Sequence, residues 1–430
     1  MMRPHDPVAE RLRSMASPEV SLGLTRLVAV CEALGRPQDR LPPVVHLAGT
    51  NGKGSTTAIL AAMSEAAGLR TDIFSSPHLV RTTESVRIAG RQIHEAAFLS
   101  HLDAVDAASR GVGLTGFETL FAGALLAFST SGSDLLLLEA GMGGRGDVVD
   151  MVERSLLTVL TPIALDHVGM IGNDVVDIAN HKAGLMRAGV RIFSARQSEP
   201  AMAAIEAAAR AVHAPLTVMG VDFDAWADRG GLSFQDQERF LDLPAPALTG
   251  PHQIDNAGLA IAVALELDLP EPAIAEGLRS VRWPARMQRL TAGPFGESAR
   301  AADAELWLDG GHNPHAGAAL ALALAERQAK APRPLALIVG MLANKDAGGF
   351  FEALSQSGAA VFTVPFDGAA AEPEALAAVA RGHGLGATPC ASVQEALTRA
   401  LRLGAGRVTI CGSLYLAGEV LGAARETWPD

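Results

Sequence analysis

Residues 44–57 read VVHLAGTNGKGSTT: an apolar β-branched run, a loop of three glycines around one lysine, then hydroxyl residues that open an alanine-rich stretch. That order is a strand, a phosphate-cradling loop and a helix N-terminus, and it ties the chain to an α/β fold. The glycines let backbone N–H groups approach phosphate oxygens, and the helix end adds partial positive charge. Lys53 supplies a full charge, and Ser55 or Thr56 reaches a metal or a phosphate. Gly54 separates Lys53 from Ser55, so the spacing departs from the usual P-loop, and a glycine-rich turn before a helix also arises from geometry alone. The strand before it, the lysine within it and the hydroxyls after it favour nucleotide binding.

Strand-like and helix-like segments alternate along most of the chain, which predicts an α/β protein with largely parallel sheet. At 430 residues it exceeds one ordinary core, so two domains are expected. In the first half, strands are predicted at 44–47, 72–74, 135–138 and 157–160, and helices at 56–67, 95–110, 117–128 and 175–186. Residues 85–93 alternate around Ala89-Gly90 and read as a hairpin. A proline-rich stretch at 244–251 leads into a helix from His252, and 292–302, rich in Gly, Pro and small polar residues, reads as a break. A fresh series follows, with strands at 306–308, 335–339, 361–364 and 408–410 and helices at 315–328, 349–355 and 414–424. The expected arrangement is a P-loop-type domain over residues 1–294 and a smaller Rossmann-like α/β domain over 295–430.

Apolar residues make up 49% of the chain and charged residues 19%, the balance of a well-buried globular protein. Net charge is −12 with no Lys/Arg cluster, which argues against nucleic acid and anionic membranes as partners. Cys31, Cys390 and Cys411 are odd in number and far apart, so reduced thiols in a cytoplasmic protein are expected. The segment from Met1 to Arg13 is charged and lacks the apolar centre of a signal peptide, and no apolar run reaches the ~20 residues that span a bilayer.

In an open parallel sheet, ligands bind beyond the carboxyl ends of the strands. Four predicted strand ends in the first half carry polar groups: the phosphate loop, Ser75-Ser76-Pro77-His78, Glu139 through Arg145, and Thr161-Pro162 ahead of Asp166-His167. Glu139 at the tip of a leucine run needs a cation, either magnesium on nucleotide phosphates or Arg145. His167 alone reads as a structural histidine more readily than as a ligand, and Lys182 in His181-Lys182-Ala183-Gly184 as a solvated lysine on a helix. In the second half, Asp309 through His315 repeat the pattern: Asp309 can receive a ribose hydroxyl and His312 can meet a phosphate, while Asn313 is suited to cap a helix.

Taken in order, G-T-N-G-K-G-S, S-S-P-H-L, E-x-G-x-G-G-R, L-D-H, H-K-A-G, D-G-G-H-N-P-H-A and the closing Cys411-Gly412-Ser413-Leu414-Tyr415-Leu416-Ala417 resemble dihydrofolate synthase/folylpolyglutamate synthase of the Mur ligase superfamily. The resemblance implies an ATP-dependent ligase that joins a pteroate or folate carboxylate to L-glutamate through an acyl phosphate. It implies that Thr50, Asn51, Gly52, Lys53, Gly54 and Ser55 hold the ATP phosphates, with further nucleotide contacts from Asn256, Arg286, Asp309 and His312. Ser76 and Glu139 match ligands of one magnesium ion, and His167 matches a ligand of a second. Lys182 matches a lysine carried as a carbamate. Ser76, Pro77 and His78, Thr115, Gly116, Phe117 and Glu118, and Gly146, Asp147 and Val148 match the pterin-substrate contacts. Lys53, Lys182 and His312 are the catalytic candidates.

The chain departs from the family pattern where relatives read G-G-R-L-D-A-T-N, having Gly146-Asp147-Val148-Val149-Asp150 instead. It also has His167-Val168-Gly169-Met170-Ile171-Gly172 for H-x-x-x-L-G, and Asn344-Lys345-Asp346 for D-K-D. Small-molecule substrates alone and a monomeric state are expected. The rivals are another Mur-type amide ligase, such as a peptidoglycan-precursor enzyme, and a P-loop switch protein. The latter needs a guanine-reading N-K-x-D, and in Asn344-Lys345-Asp346-Ala347 the acid comes one position early.

Overall fold

The computed structural model describes residues 4–17 and 23–429, so the first three residues of the charged N-terminal segment lie outside it. Contacts gather these residues into two compact units. One takes His5–Ala247 with Ile254–Arg282, the other Leu248–Gln253 with Trp283–Pro429.

The first unit is built on an eight-stranded sheet. Its strands are β1 (Val44–Ala48), β2 (Thr71–Phe74), β3 (Val86–Ile88), β4 (Arg91–Gln92), β5 (Leu135–Glu139), β6 (Leu157–Leu160), β7 (Ile192–Ser194) and β8 (Leu216–Val218), in the spatial order β4-β3-β2-β5-β1-β6-β7-β8. From β2 to β8 every neighbouring pair is parallel, and β3 and β4 add an antiparallel hairpin that turns at Ala89-Gly90. The valines and leucines of β1 and β5 are buried along both strands, as central parallel strands must be when helices cover both faces. Leu47 pairs with Glu139, Ala48 with Leu160 and Phe74 with Leu138, so the phosphate loop and the exits of β2, β5 and β6 leave the sheet at one edge.

The helix after the phosphate loop starts at Lys53 rather than Thr56, running Lys53–Ala66. Gly52 takes the left-handed conformation (φ 88°) that a side chain disfavours, and the chain can turn into the helix one residue later. Helix Glu271–Ser280 packs on it closely: a Cβ on Gly277 would lie 2.5 Å from the Met63 nitrogen. Helix Gly116–Ser131 brings Phe121 and Phe128 into a core with Phe74 and Phe98. A small antiparallel sheet, β9 (Asp224–Asp228), β10 (Gly231–Gln235) and β11 (Phe240–Pro244), completes the unit.

The second unit holds β12 (Gln288–Leu290), β13 (Glu305–Leu308), β14 (Leu335–Val339), β15 (Ala360–Thr363), β16 (Ala387–Pro389) and β17 (Arg407–Cys411), in the order β12-β13-β17-β14-β15-β16. All pairs but β12–β13 are parallel, the Rossmann-like pattern expected. One expectation fails here: 292–302 is not a break, because Gly293–Ala301 is a helix. Gly293 and Pro294 stand at its first turn, where proline's missing N–H costs nothing, and the alanines and Glu297 behind them favour helix. Asp346 caps helix Ala347–Leu354 by accepting from the Gly349 N–H at 2.9 Å, a structural task for the acid of the would-be guanine motif.

Candidate active site

The phosphate loop is fixed to the exit of β6. Thr50 and Asn51 donate their N–H groups to the Pro162 carbonyl at 2.9 and 3.2 Å, and the Thr50 hydroxyl donates to Ala164 O while accepting from Ala164 N–H. Gly49 (φ 147°) lies so close to Thr161 that a Cβ would sit 1.9 Å from its Oγ1. Gln197 braces the same exit, its amide donating to Thr161 O and its oxygen accepting from Ile163 N–H. Asn256 arrives from helix His252–Glu266 and would touch a Cβ on Gly52 at 2.5 Å, so this nucleotide candidate does stand against the loop. The Lys53 ammonium folds back to donate to Gly49 O (3.1 Å) and Thr50 O (3.3 Å). A cation satisfied by loop carbonyls is poised to exchange them for phosphate oxygens.

At the exits of β2 and β5, Gly141 brings Ser76 and Phe117 together: a Cβ there would lie 3.5 Å from Ser76 Oγ and 2.9 Å from the Phe117 ring. The Ser76–Pro77 peptide is cis. Glu84 holds this turn by accepting N–H bonds from Leu79, Val80 and Arg81, while burial pushes its carboxyl above the ordinary range. Glu139 is buried at the tip of β5, whereas Arg145 is exposed. Glu139 offers a buried carboxylate and Ser76 a hydroxyl at the exits of neighbouring strands, hard oxygen donors of the kind that suits magnesium. No group of three His, Cys, Asp or Glu residues able to hold a metal occurs among the described residues. Glu139→Gln removes the charge with little change of volume, so the magnesium concentration for half-maximal activity is expected to rise about tenfold or more while the KM of the other substrates moves little. A magnesium titration of the variant's activity checks this, and an unchanged midpoint would make Glu139 structural.

Lys182 is the surprise of the site. It is 2% exposed, its ammonium donates to Met142 O at 3.1 Å, and burial, with the charge of Lys53 second, lowers its pKa to about 7. The solvated-surface alternative therefore fails. Helix Val175–Ala183 is pressed against the Gly143-Gly144 turn: a Cβ on Gly144 would lie 2.5 Å from Lys182 O, and one on Gly184 2.6 Å from Arg145 Cβ. Asp147 and Asp166 lie within electrostatic reach of Lys182, and Asp166 accepts from the N–H of its neighbour His167, which has φ 52°.

Several pterin candidates already carry structural bonds. Thr115 and Glu118 form a reciprocal cap on helix Gly116–Ser131, and Glu118 pairs with Arg26 at 3.2 Å. Asp147 accepts from Met142, Gly143 and Val149 N–H groups.

In the second unit, Asp309 at the end of β13 accepts from Met287 N–H (2.9 Å) and Gly311 N–H (2.8 Å). His312 Nδ1 lies 2.9 Å from Gly310 O, and a Cβ on Gly310 would lie 2.8 Å from Arg286. Arg286, Asp309 and His312 thus form one cluster, and Asn313 caps helix Pro314–Lys330 through Ala316 N–H.

The chain resembles known ligases over nearly its whole length. Residues 294–423 match the family model for the dihydrofolate synthetase C-terminal domain. A Lacticaseibacillus casei folylpolyglutamate synthase is 30% identical, with 92% of each chain covered. An Escherichia coli dihydrofolate synthase/folylpolyglutamate synthase is 33% identical over 79% of this chain and 76% of that one. The chain belongs to the dihydrofolate synthase/folylpolyglutamate synthase family. A solved structure of a family member with Mn, AMPPNP and L-glutamate bound superposes with a TM-score of 0.84 at 32% identity, covering 97% of this chain and 98% of that one. Against a Halobacterium salinarum bifunctional folylpolyglutamate synthase/dihydropteroate synthase, 31% identical, the chain spans about half the relative's length (48%).

Membership of this family of ATP-dependent ligases agrees with the fold and with the converging strand ends. Sequence reasoning missed Glu84, Gln197 and the Asp150–Arg187 pair, which shape the site's loops. No spacing rule marks them, since each acts on backbone groups or partners distant in sequence.

Proposed function

We propose that the chain joins L-glutamate to dihydropteroate, to folates, or to both, with ATP as the driving reagent. What carries this reading is a phosphate loop bearing the Lys53 cation within electrostatic reach of the buried Lys182, whose amine burial and Lys53 bring to a pKa of about 7. In the proposed reaction the γ-phosphoryl group passes from ATP to a substrate carboxylate oxygen, giving an acyl phosphate and ADP. The glutamate amine then attacks the acyl carbon, the C–O bond to phosphate breaks, and the amine loses its proton as the amide forms. Such transfer depends on positioning and charge neutralisation. Lys53 and the helix N-terminus behind it neutralise the phosphates, and Asn256 braces the loop. Magnesium bound with ATP would supply Lewis-acid charge neutralisation, with Ser76 and Glu139 the residues that would hold one ion and His167 a second.

Lys182 is proposed to react as the free amine with carbon dioxide, forming an N–C bond and releasing a proton to water; the carbamate anion then offers an oxygen ligand beside His167. The family resemblance assigns Thr50 through Ser55, Arg286, Asp309 and His312 to the nucleotide, and the residues around Phe117 and Val148 to the pterin. The division at 294/295 belongs to the same proposal. The compact units change over at Arg282–Trp283, so residues 283–294 are the stretch it would reassign. No described helix is long and apolar enough to cross a membrane; a monomer working in the cytoplasm is the accompanying proposal.

The test is product analysis with ATP, L-glutamate and either dihydropteroate or tetrahydrofolate. The reading expects a glutamyl amide with ADP and phosphate in equal amounts from at least one acceptor. ATP hydrolysis without amide, or a preference for GTP, would contradict it.

A further inference from the structure

His46 lies inside β1, fully buried, in the strand that delivers the phosphate loop. Its Nε2 is 3.2 Å from the Val149 carbonyl and its Nδ1 3.0 Å from Ser155 Oγ. A carbonyl can only accept, so Nε2 carries the hydrogen. Burial, reinforced by the charge of Arg187, holds the ring's pKa down at about 4, so the ring is neutral and Nδ1 accepts. The single Ser155 hydrogen is shared between Nδ1 and Leu157 O at 2.9 Å, which leaves the bond to Val149 as the firm one.

Val149 belongs to the short 3₁₀ turn Val148–Met151, directly after Gly146 and Asp147. That segment closes on itself, since Asp147 accepts from Met142, Gly143 and Val149, and Asp150 accepts from Gly146 N–H at 2.7 Å. Among the described residues, the 3₁₀ turn itself is tied to the rest of the unit by the side chains of His46, through the Val149 carbonyl, and Arg187, through both the carbonyl and the carboxylate of Asp150 at 2.8 Å. We propose that His46, together with the Arg187–Asp150 pair, is a positioning residue that sets the pterin-binding turn at a fixed height above β1. One strand then carries the phosphate loop at its end and the anchor of the acceptor's turn on its side. Both halves of the reaction share a single rigid reference. The inference rests on the assignment of Gly146, Asp147 and Val148 to the pterin substrate.

The decisive comparison is His46→Asn against His46→Gln. The glutamine amide nitrogen reaches the place of Nε2 and can still donate to Val149, whereas asparagine reaches only the place of Nδ1. His46→Asn is expected to raise the KM for the pterin substrate about tenfold, the loss of one buried hydrogen bond, with the KM for ATP within about twofold. It also speeds amide hydrogen exchange in residues 146–151, and His46→Gln restores most of both. Equal behaviour of the two variants, or an ATP KM that moves as much as the pterin KM, overturns the proposal. Should His46→Asn fail to fold, Asp150→Asn loosens the other tether at a half-buried position and is expected to raise the same KM; no rise contradicts the clamp. Val148→Asp separates the two layers of the argument. A normal pterin KM there refutes the assignment of the turn to the substrate, whereas a raised one beside a normal His46→Asn refutes the clamp alone.

Discussion

Lys53→Ala is expected to lower turnover by about 10²–10³-fold at saturating ATP, the loss typical of removing one charged group aimed at the transferring phosphoryl. The fold is expected to survive. In the structure the ammonium bonds the Gly49 and Thr50 carbonyls of its own loop, and the Pro162 and Ala164 bonds also hold that loop. An alanine at this position also favours the helix that starts there. Single-turnover kinetics with thermal unfolding as control checks this, and a near-normal rate would remove Lys53 from the phosphoryl step.

Lys182→Ala is expected to abolish most activity as well, but with a different signature. A lysine reacts with carbon dioxide only as the free amine, and an ordinary lysine near pH 7.5 is almost wholly protonated. Burial and Lys53 bring this one to about 7, so the neutral fraction rises from about a tenth at pH 6 to about nine tenths at pH 8. Activity is therefore expected to depend on bicarbonate more strongly at the acid end of that range. The lowered value also fixes the sign of the stability effect. An unfolded lysine holds its proton up to about pH 10.4, so between about 7 and 10.4 the unfolded state binds more protons and this residue's penalty on folding shrinks as pH rises. In Lys182→Ala a short carboxylic acid is expected to restore part of the rate by entering the vacated space. Density that ends at the amine in crystals grown with bicarbonate, beside full activity of the alanine variant, would refute the carbamate.

Much of this was legible because it depends on local rules. Glycines around a lysine between an apolar run and hydroxyl residues have few structural meanings, and β5 declares its burial through an unbroken run of Leu, β1 through Val and Leu on either side of His46. Tertiary facts were not legible. Nothing around His181-Lys182 says which face of the helix is covered; the Gly143-Gly144 turn does that from a loop distant in sequence. Asn256 meets Gly52 only because its helix passes over the loop. His46 looks like one polar interruption in a strand until Val149 is placed beside it. The Gly293–Ala301 helix was obscured because Gly and Pro signal a break in a list of residues but a helix start at its first turn.

The central claim is that ATP activates a carboxylate as an acyl phosphate, and oxygen-18 in the carboxylate of the pterin substrate tests it most directly. Because the carboxylate oxygen attacks phosphorus and later departs with it, one labelled oxygen per amide formed is predicted to appear in inorganic phosphate. Phosphate free of label while amide accumulates would contradict the account.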